Sequence, residues 1–191
     1  MEKGGLSEAL AAADMTAGTG IWHADELRLG LRGQTRRVLA PRGIKVVQRL
    51  QVRYEWRYLL LAVEPLLGDL RWEWLARMRA AHLAPVVEDW ALDGLVWDGA
   101  PAHKAKTVRA LSTKQITLPA YSPELNPAER VFEEIRRHVE GRVYLSLATK
   151  QAAVETYLTE LAASPAQVQR LCGWAWLTDA VAHLPHVAQP G

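Results

Sequence analysis

Hydrophobic positions along the 191-residue chain fall first into alternating and then into helical patterns. Ile21–Leu29 is apolar and alternating and predicts a strand that ends at the glycines of Gly30–Gly33. Residues 37–40 and 45–52 read as extended, with a break at Pro41–Gly43. Trp56–Val63 is a strand-like apolar run. Glu64-Pro65 and Gly68-Asp69 bound a turn, and Leu70–Leu75 returns antiparallel to that run. The pattern then predicts a helix over Glu73–Leu83 and a second after Pro85, over Val86–Ala91. Gly94–Trp97 is short and wholly apolar, the mark of a strand buried on both faces. Lys104–Leu111 reads as helix and Gln115–Leu118 as strand. Further helices follow over Leu147–Ala162, after Ser164-Pro165, and over Trp174–Ala182. A short helix over Leu6–Ala13 precedes everything. Antiparallel strands, then strand–helix–strand–helix, then helices predict an α/β fold with a mixed sheet and helices on its faces.

The clearest helix opens at Asn126-Pro127, an N-cap followed by proline at the first helical position. Ala128, Val131, Phe132, Ile135 and Val139 form its apolar stripe. Glu129 stands roughly 95° from the centre of that stripe, on its shoulder. As the third helical residue it has two readings of equal weight. It is a capping-box glutamate that reaches back to the N-cap N–H, or a carboxylate aimed along the edge of the sheet. Glu133 shares that shoulder one turn later.

Two aspartates stand where strands disfavour them. Asp98 follows Leu95-Val96-Trp97 directly, so its charge sits against a dry strand end, although an aspartate before Gly99-Ala100-Pro101 also serves a turn. Asp25 lies within the first strand, on one face with His23 and Leu27, while Trp22, Ala24 and Glu26 take the other. Glu26 then reads as a supporting or solvent-facing group. Two strand carboxylates and one helix carboxylate suit a two-metal phosphoryl-transfer site. Oxygen donors without a Cys or His cluster favour two Mg²⁺ or Mn²⁺ ions over Zn²⁺. His23 and His103 flank the aspartates as hydrogen-bonding neighbours, and Asn126 supports the helix start.

Charge sharpens this picture. Between Leu27 and Arg57 there are nine basic residues against one acid, Glu55, so the segment carries +8 in a chain of net charge +2. Arg36, Arg37, Arg42 and Lys45 are its candidate phosphate contacts, and a polyanion, nucleic acid before others, is the expected partner; the plain alternative is a solvated hairpin face. No apolar run is long enough to span a bilayer, and the acidic N-terminus is unlike a signal peptide. The single cysteine, Cys172, excludes internal disulfides and fits a reducing cytoplasm. No P-loop, G-x-S-x-G or H-E-x-x-H motif occurs.

The runs DGAPAH (98–103) and LPAYSPELNPAERVFEEIR (118–136) resemble the catalytic domain of insertion-sequence transposases in the mariner-like DDE superfamily. WHADELRLGL, RRVLAPRG and YLLLAVEPLLGDLRWEWL are similar to that family's first-aspartate strand and hairpin. The resemblance covers residues 20–140 or so, and its most specific part is the Tyr-Ser-Pro loop running into Asn-Pro-x-Glu. It implies a ribonuclease H-like fold, catalytic and metal-binding roles for Asp25, Asp98 and Glu129, two divalent ions, and DNA cleavage followed by strand transfer. Asp98 and Glu129 are 31 positions apart, a spacing that suits compact bacterial members. Gly99 stands where the family usually has asparagine. The family also implies a homodimer on DNA and N-terminal helix-turn-helix modules. With only some 20 residues before the first strand, those modules are expected from a separate reading frame. The predicted layout is a short N-terminal segment (1–18), a catalytic domain (19–145) and a helical extension packed on it (146–191). A structure-specific nuclease of the same fold, and an inactive DNA- or protein-binding remnant, are the rival readings.

Overall fold

The computed structural model describes residues 5–33, 39–47 and 51–185. Arg36 and Arg37, and parts of the extended runs expected around them, lie outside the described residues. In chain order the elements are α1 (Gly5–Ala12), β1 (Ile21–Gly30), β2 (Trp56–Glu64), β3 (Asp69–Leu75), α2 (Ala80–Trp90), β4 (Gly94–Trp97), α3 (Lys106–Arg109), β5 (Lys114–Thr117), α4 (Pro127–Val139), α5 (Leu147–Ala162), α6 (Pro165–Cys172) and α7 (Ala175–Ala182). A turn of 3-10 helix over Pro123–Leu125 leads into α4.

The strands form one sheet in the order β3-β2-β1-β4-β5. β1, β2 and β3 are antiparallel neighbours, while β4 runs parallel to β1 and β5 parallel to β4. This is the mixed sheet that the hydrophobic pattern predicts. β4 is buried at all four positions, as its continuous apolar run requires of a central strand.

Alternation along β1 divides the sheet's two faces. Leu27 and Leu29 join Leu59, Leu61 and Val63 under the apolar stripe of α4, with α5 and α6 behind it. Trp22 and Ala24 join Leu60, Ala62, Leu95 and Trp97 under Leu83, Val87 and Trp90 of α2. A third cluster packs α1 and α7 against Ile21, Val96 and Ile116. Gly68 fixes where the tail docks. Its φ is +84°, and a Cβ there would sit 2.3 Å from the Pro165 carbonyl oxygen at the start of α6. Gln169 on α6 donates to the carbonyls of Leu66 (2.8 Å) and Leu67 (3.1 Å) in the same turn.

One expected helix is displaced. Residues 73–75 belong to β3, which pairs with β2 along its whole length, and helix begins only at Ala80. Trp72 and Trp74, alternating with Arg71 and Glu73, both donate their indole N–H to Glu155 on α5. A partner so far along the chain outweighs local helical periodicity. α2 is also one helix through Pro85 rather than two segments. The missing N–H of Pro85 deprives only the carbonyl of Ala81, an exposed residue, of its helical partner. The basic segment holds no strand at residues 39–47 or 51–55.

Candidate active site

Parallel pairing of β1 with β4 ends at His23↔Val96. Continued by two residues, the same register sets Asp98, just past the end of β4, level with Asp25 in the middle of β1. α4 crosses the face to which Asp25 points, with Asn126 as its N-cap. The Asn126 side chain is buried and fully engaged. Its Oδ1 accepts the Ala128 N–H at 3.1 Å, while its Nδ2 donates to the Ala24 carbonyl (3.0 Å) and to Asp25 Oδ2 (3.3 Å). One residue therefore starts α4, pins it to β1 and braces the first aspartate. Asn126→Ala is expected to lower stability by roughly 2–4 kcal/mol, because it removes the cap and leaves a buried carbonyl unpaired. Urea unfolding checks this.

Burial is the main cause that raises the Asp25 carboxyl, to about 7. The negative charges of Glu26, Glu129 and Asp98 add to it, against the Glu26 N–H bond to Oδ1 (2.7 Å). Glu129 and Asp98, the other two sequence-predicted acids, thus both act on Asp25 as like charges.

The Glu129 carboxylate does not cap its helix. The Asn126 N–H is bonded instead to the Pro123 carbonyl at 3.0 Å. Glu129 Oε2 lies 3.5 Å from the Arg136 guanidinium, two turns along the same side of α4. The capping-box reading fails because the 3-10 turn before the helix has already taken the donor.

Asp98 is held from behind. Its Oδ1 accepts the Ala100 N–H (2.9 Å) and lies 2.8 Å from His103 Nδ1, which also approaches the Asp98 carbonyl at 3.0 Å. Among the described residues no hydrogen bond reaches Oδ2. The buried His103 ring stacks on Trp97, with centroids 4.1 Å apart. Its Nε2 meets Glu26 Oε1 at 2.9 Å. Its pKa is moved by burial, which lowers it, and by Glu26 and Asp98, which raise it; the net shift is upward. Glu26, which the sequence left as supporting or solvent-facing, is tied through His103 to the second aspartate. Alternation placed Glu26 opposite Asp25, but only the β1–β4 pairing reveals its partner.

His23 is a core residue. Burial lowers its pKa to about 3, and its Nδ1 has no hydrogen-bond partner among the described residues. Gly99 leaves room for Lys104, whose Nζ would stand 3.0 Å from a Cβ there. Arg42 and Lys45 are exposed.

Among the described residues no three His, Cys, Asp or Glu side chains stand close enough to hold a cation as they are. Each acid is drawn to a protein partner instead: Asp25 to Asn126, Asp98 to His103, Glu129 to Arg136. The donor set nevertheless fits a hard divalent ion. It offers oxygens only, from three carboxylates, two of which act on Asp25 as like charges that a cation would offset.

A family model described as DDE superfamily endonuclease matches residues 20–149. Solved structures share the fold. The Mos1 strand transfer complex superposes with a TM-score of 0.67 at 16% identity, over 94% of this chain and 59% of that one. The mariner Mos1 paired-end complex with Mg gives 0.59 at 16% identity, over 97% and 62%. The isolated catalytic domain of Mos1 mariner transposase gives 0.57 at 17% identity, over 94% and 90%. The chain thus spans about 60% of the transposases in those complexes. No curated protein matches by sequence. Among the described residues no helix is long and apolar enough to cross a membrane.

Proposed function

The chain belongs to the DDE superfamily of endonucleases and has the fold of a DDE transposase catalytic core, and on that premise we propose that it cuts and joins DNA at Asp25, Asp98 and Glu129, as part of a bacterial insertion-sequence transposase. The carrying observation is placement: Asn126, the N-cap of the helix that bears Glu129, donates to Asp25 Oδ2, and Glu129 and Asp98 both act as like charges on the partly buried Asp25. The similar Mos1 complexes with Mg and with Mn support divalent ions here, and the strand transfer complex supports joining as well as cutting. Bound between the acids, two such ions would activate the attacking oxygen and stabilise the leaving one.

The chain's own residues prepare that chemistry. Asn126 and the Glu26 N–H fix the Asp25 carboxylate on β1. His103 and the Ala100 N–H take Asp98 Oδ1 and, among the described residues, leave Oδ2 without a hydrogen bond. Glu129 enters from the first turn of α4 once it leaves Arg136. End recognition is assigned to a helix-turn-helix module, and the working unit to a homodimer on cytoplasmic DNA.

Labelled end-like duplex and a supercoiled plasmid, incubated with the protein and Mg²⁺ or Mn²⁺, test the reading. Metal-dependent nicking followed by joined products is expected. Nicking without joining would reduce the protein to a nuclease, and neither product would overturn the proposal.

Arg36, Arg37, Arg42 and Lys45 are assigned to the DNA backbone, where they would displace counterions without reading bases. Replacing all four by alanine is expected to flatten the slope of log affinity against log salt on non-specific duplex by roughly 3–4 units. An unchanged slope would make the segment a solvated surface.

A further inference from the structure

A groove of about 520 Å³ opens beside the acids, between the end of β1, the start of β2 and the end of α4. It touches the acids at two points. Glu26 follows Asp25, and Arg136 pairs with Glu129. The walls carry six basic side chains, Arg53 and Arg142 among them, against three glutamates. Such an excess suits a polyanion.

The aromatic residues are more specific than the charge. Trp56 is 43% exposed and Tyr54 69%, and neither belongs to any of the three cores. Each carries an arginine on its face. The Arg28 guanidinium lies 4.2 Å from the Trp56 ring centroid, and that of Arg32 lies 5.1 Å from the Tyr54 centroid. Two flat guanidinium–aromatic pairs therefore follow one another along the groove. Both kinds of plane stack on nucleobases.

Bases inside a duplex are stacked on one another and offer no face to a side chain. The groove's volume is that of a pocket for a small ligand rather than a wall for a double helix. We propose that this groove binds unpaired nucleotides next to the scissile phosphate, with Trp56 and Tyr54 stacking bases and Arg53 and Arg142 meeting the phosphates between them. A DNA end cut at staggered positions carries such nucleotides. The inference rests on the DNA-processing reading above and names a second subsite for it.

The test compares three labelled DNAs bound by the full chain in EDTA: a blunt duplex, the same duplex with a short overhang, and that overhang made abasic. Overhang bases are expected to strengthen binding about five- to a hundredfold over the abasic form. Trp56→Ala should bring that ratio close to one and leave blunt-duplex affinity unchanged, and Trp56→Phe should keep most of the ratio. If Trp56→Ala fails to fold, Tyr54→Ala, at a more exposed position, carries the same comparison. Equal binding of base-bearing and abasic overhangs by wild type would overturn the proposal. So would an equal loss on all three DNAs, or a shift in oligomeric state, either of which would make the ring a backbone or protein contact. Because no cation is present, a protein that never cuts DNA would sink the catalytic reading without altering these ratios.

Discussion

Asp25→Asn and Asp98→Asn are each expected to lower metal-dependent DNA cleavage by about 10³-fold or more. Each removes a negative donor that stabilises several kcal/mol of developing charge, at about 1.36 kcal/mol per tenfold. The two variants should part company in stability. Burial and its acidic neighbours raise the Asp25 carboxyl to about 7 in the folded protein, whereas an unfolded aspartate titrates near about 4. Between those values the folded state binds more protons than the unfolded one, so this group's contribution to stability falls as pH rises through that window. The penalty is complete above about pH 7. The Asp25→Asn variant would escape it, with a gain of roughly 1–3 kcal/mol at about pH 8 in EDTA and little gain near about pH 4. The gain sits at the lower end of the charge effect, because an amide has one acceptor where Asp25 now serves both the Glu26 N–H and Asn126. Thermal melts of wild type and both variants at the two pH values check this. A pH-independent change in Asp25→Asn would mean that its carboxylate carries no such strain.

Much of this arrangement is written locally. The alternation of β1 places Asp25 on the α4 face, and the stripe of α4 places Glu129 on its shoulder, because periods of about 2.0 and 3.6 are properties of the backbone. The continuous apolar run of β4 marks a central strand and so places Asp98 at its end. What the sequence does not disclose depends on partners far along the chain. β3 outcompetes a helix over Glu73–Leu83 because Glu155 accepts from Trp72 and Trp74. Glu26 acquires a purpose only when β1 and β4 pair and bring His103 to it. The two readings of Glu129 differ by a single hydrogen bond of ordinary strength. The Pro123 carbonyl removes the capping one by taking the Asn126 N–H. The basic stretch is plain in composition, yet alternation does not signal that residues 51–55 stay irregular and present Tyr54 beside Arg32.

Because that donor is already taken, Glu129 is expected to be dispensable for the fold and indispensable for cleavage. Among the described residues its partner is Arg136, and the two side chains are 33% and 38% exposed, open enough for solvent to screen the pair. Breaking such a pair costs about 0–1 kcal/mol. Glu129→Gln and Glu129→Ala should therefore both melt close to wild type, whereas Asn126→Ala should not. A true capping-box glutamate would separate the first two variants, with Gln tolerated and Ala losing about 0.5–2 kcal/mol. Cleavage should order them differently. Gln and Ala both lack the charge that a divalent cation needs, so each should lose activity to the same degree as the aspartate variants. Mn²⁺ binding by calorimetry gives a readout that does not depend on turnover, and affinity should fall in both. Affinity equal to wild type in Glu129→Gln would remove Glu129 from the site and pass the role to Glu133. That residue lies one turn along the same shoulder, where Arg130 and Arg137 now hold its carboxylate.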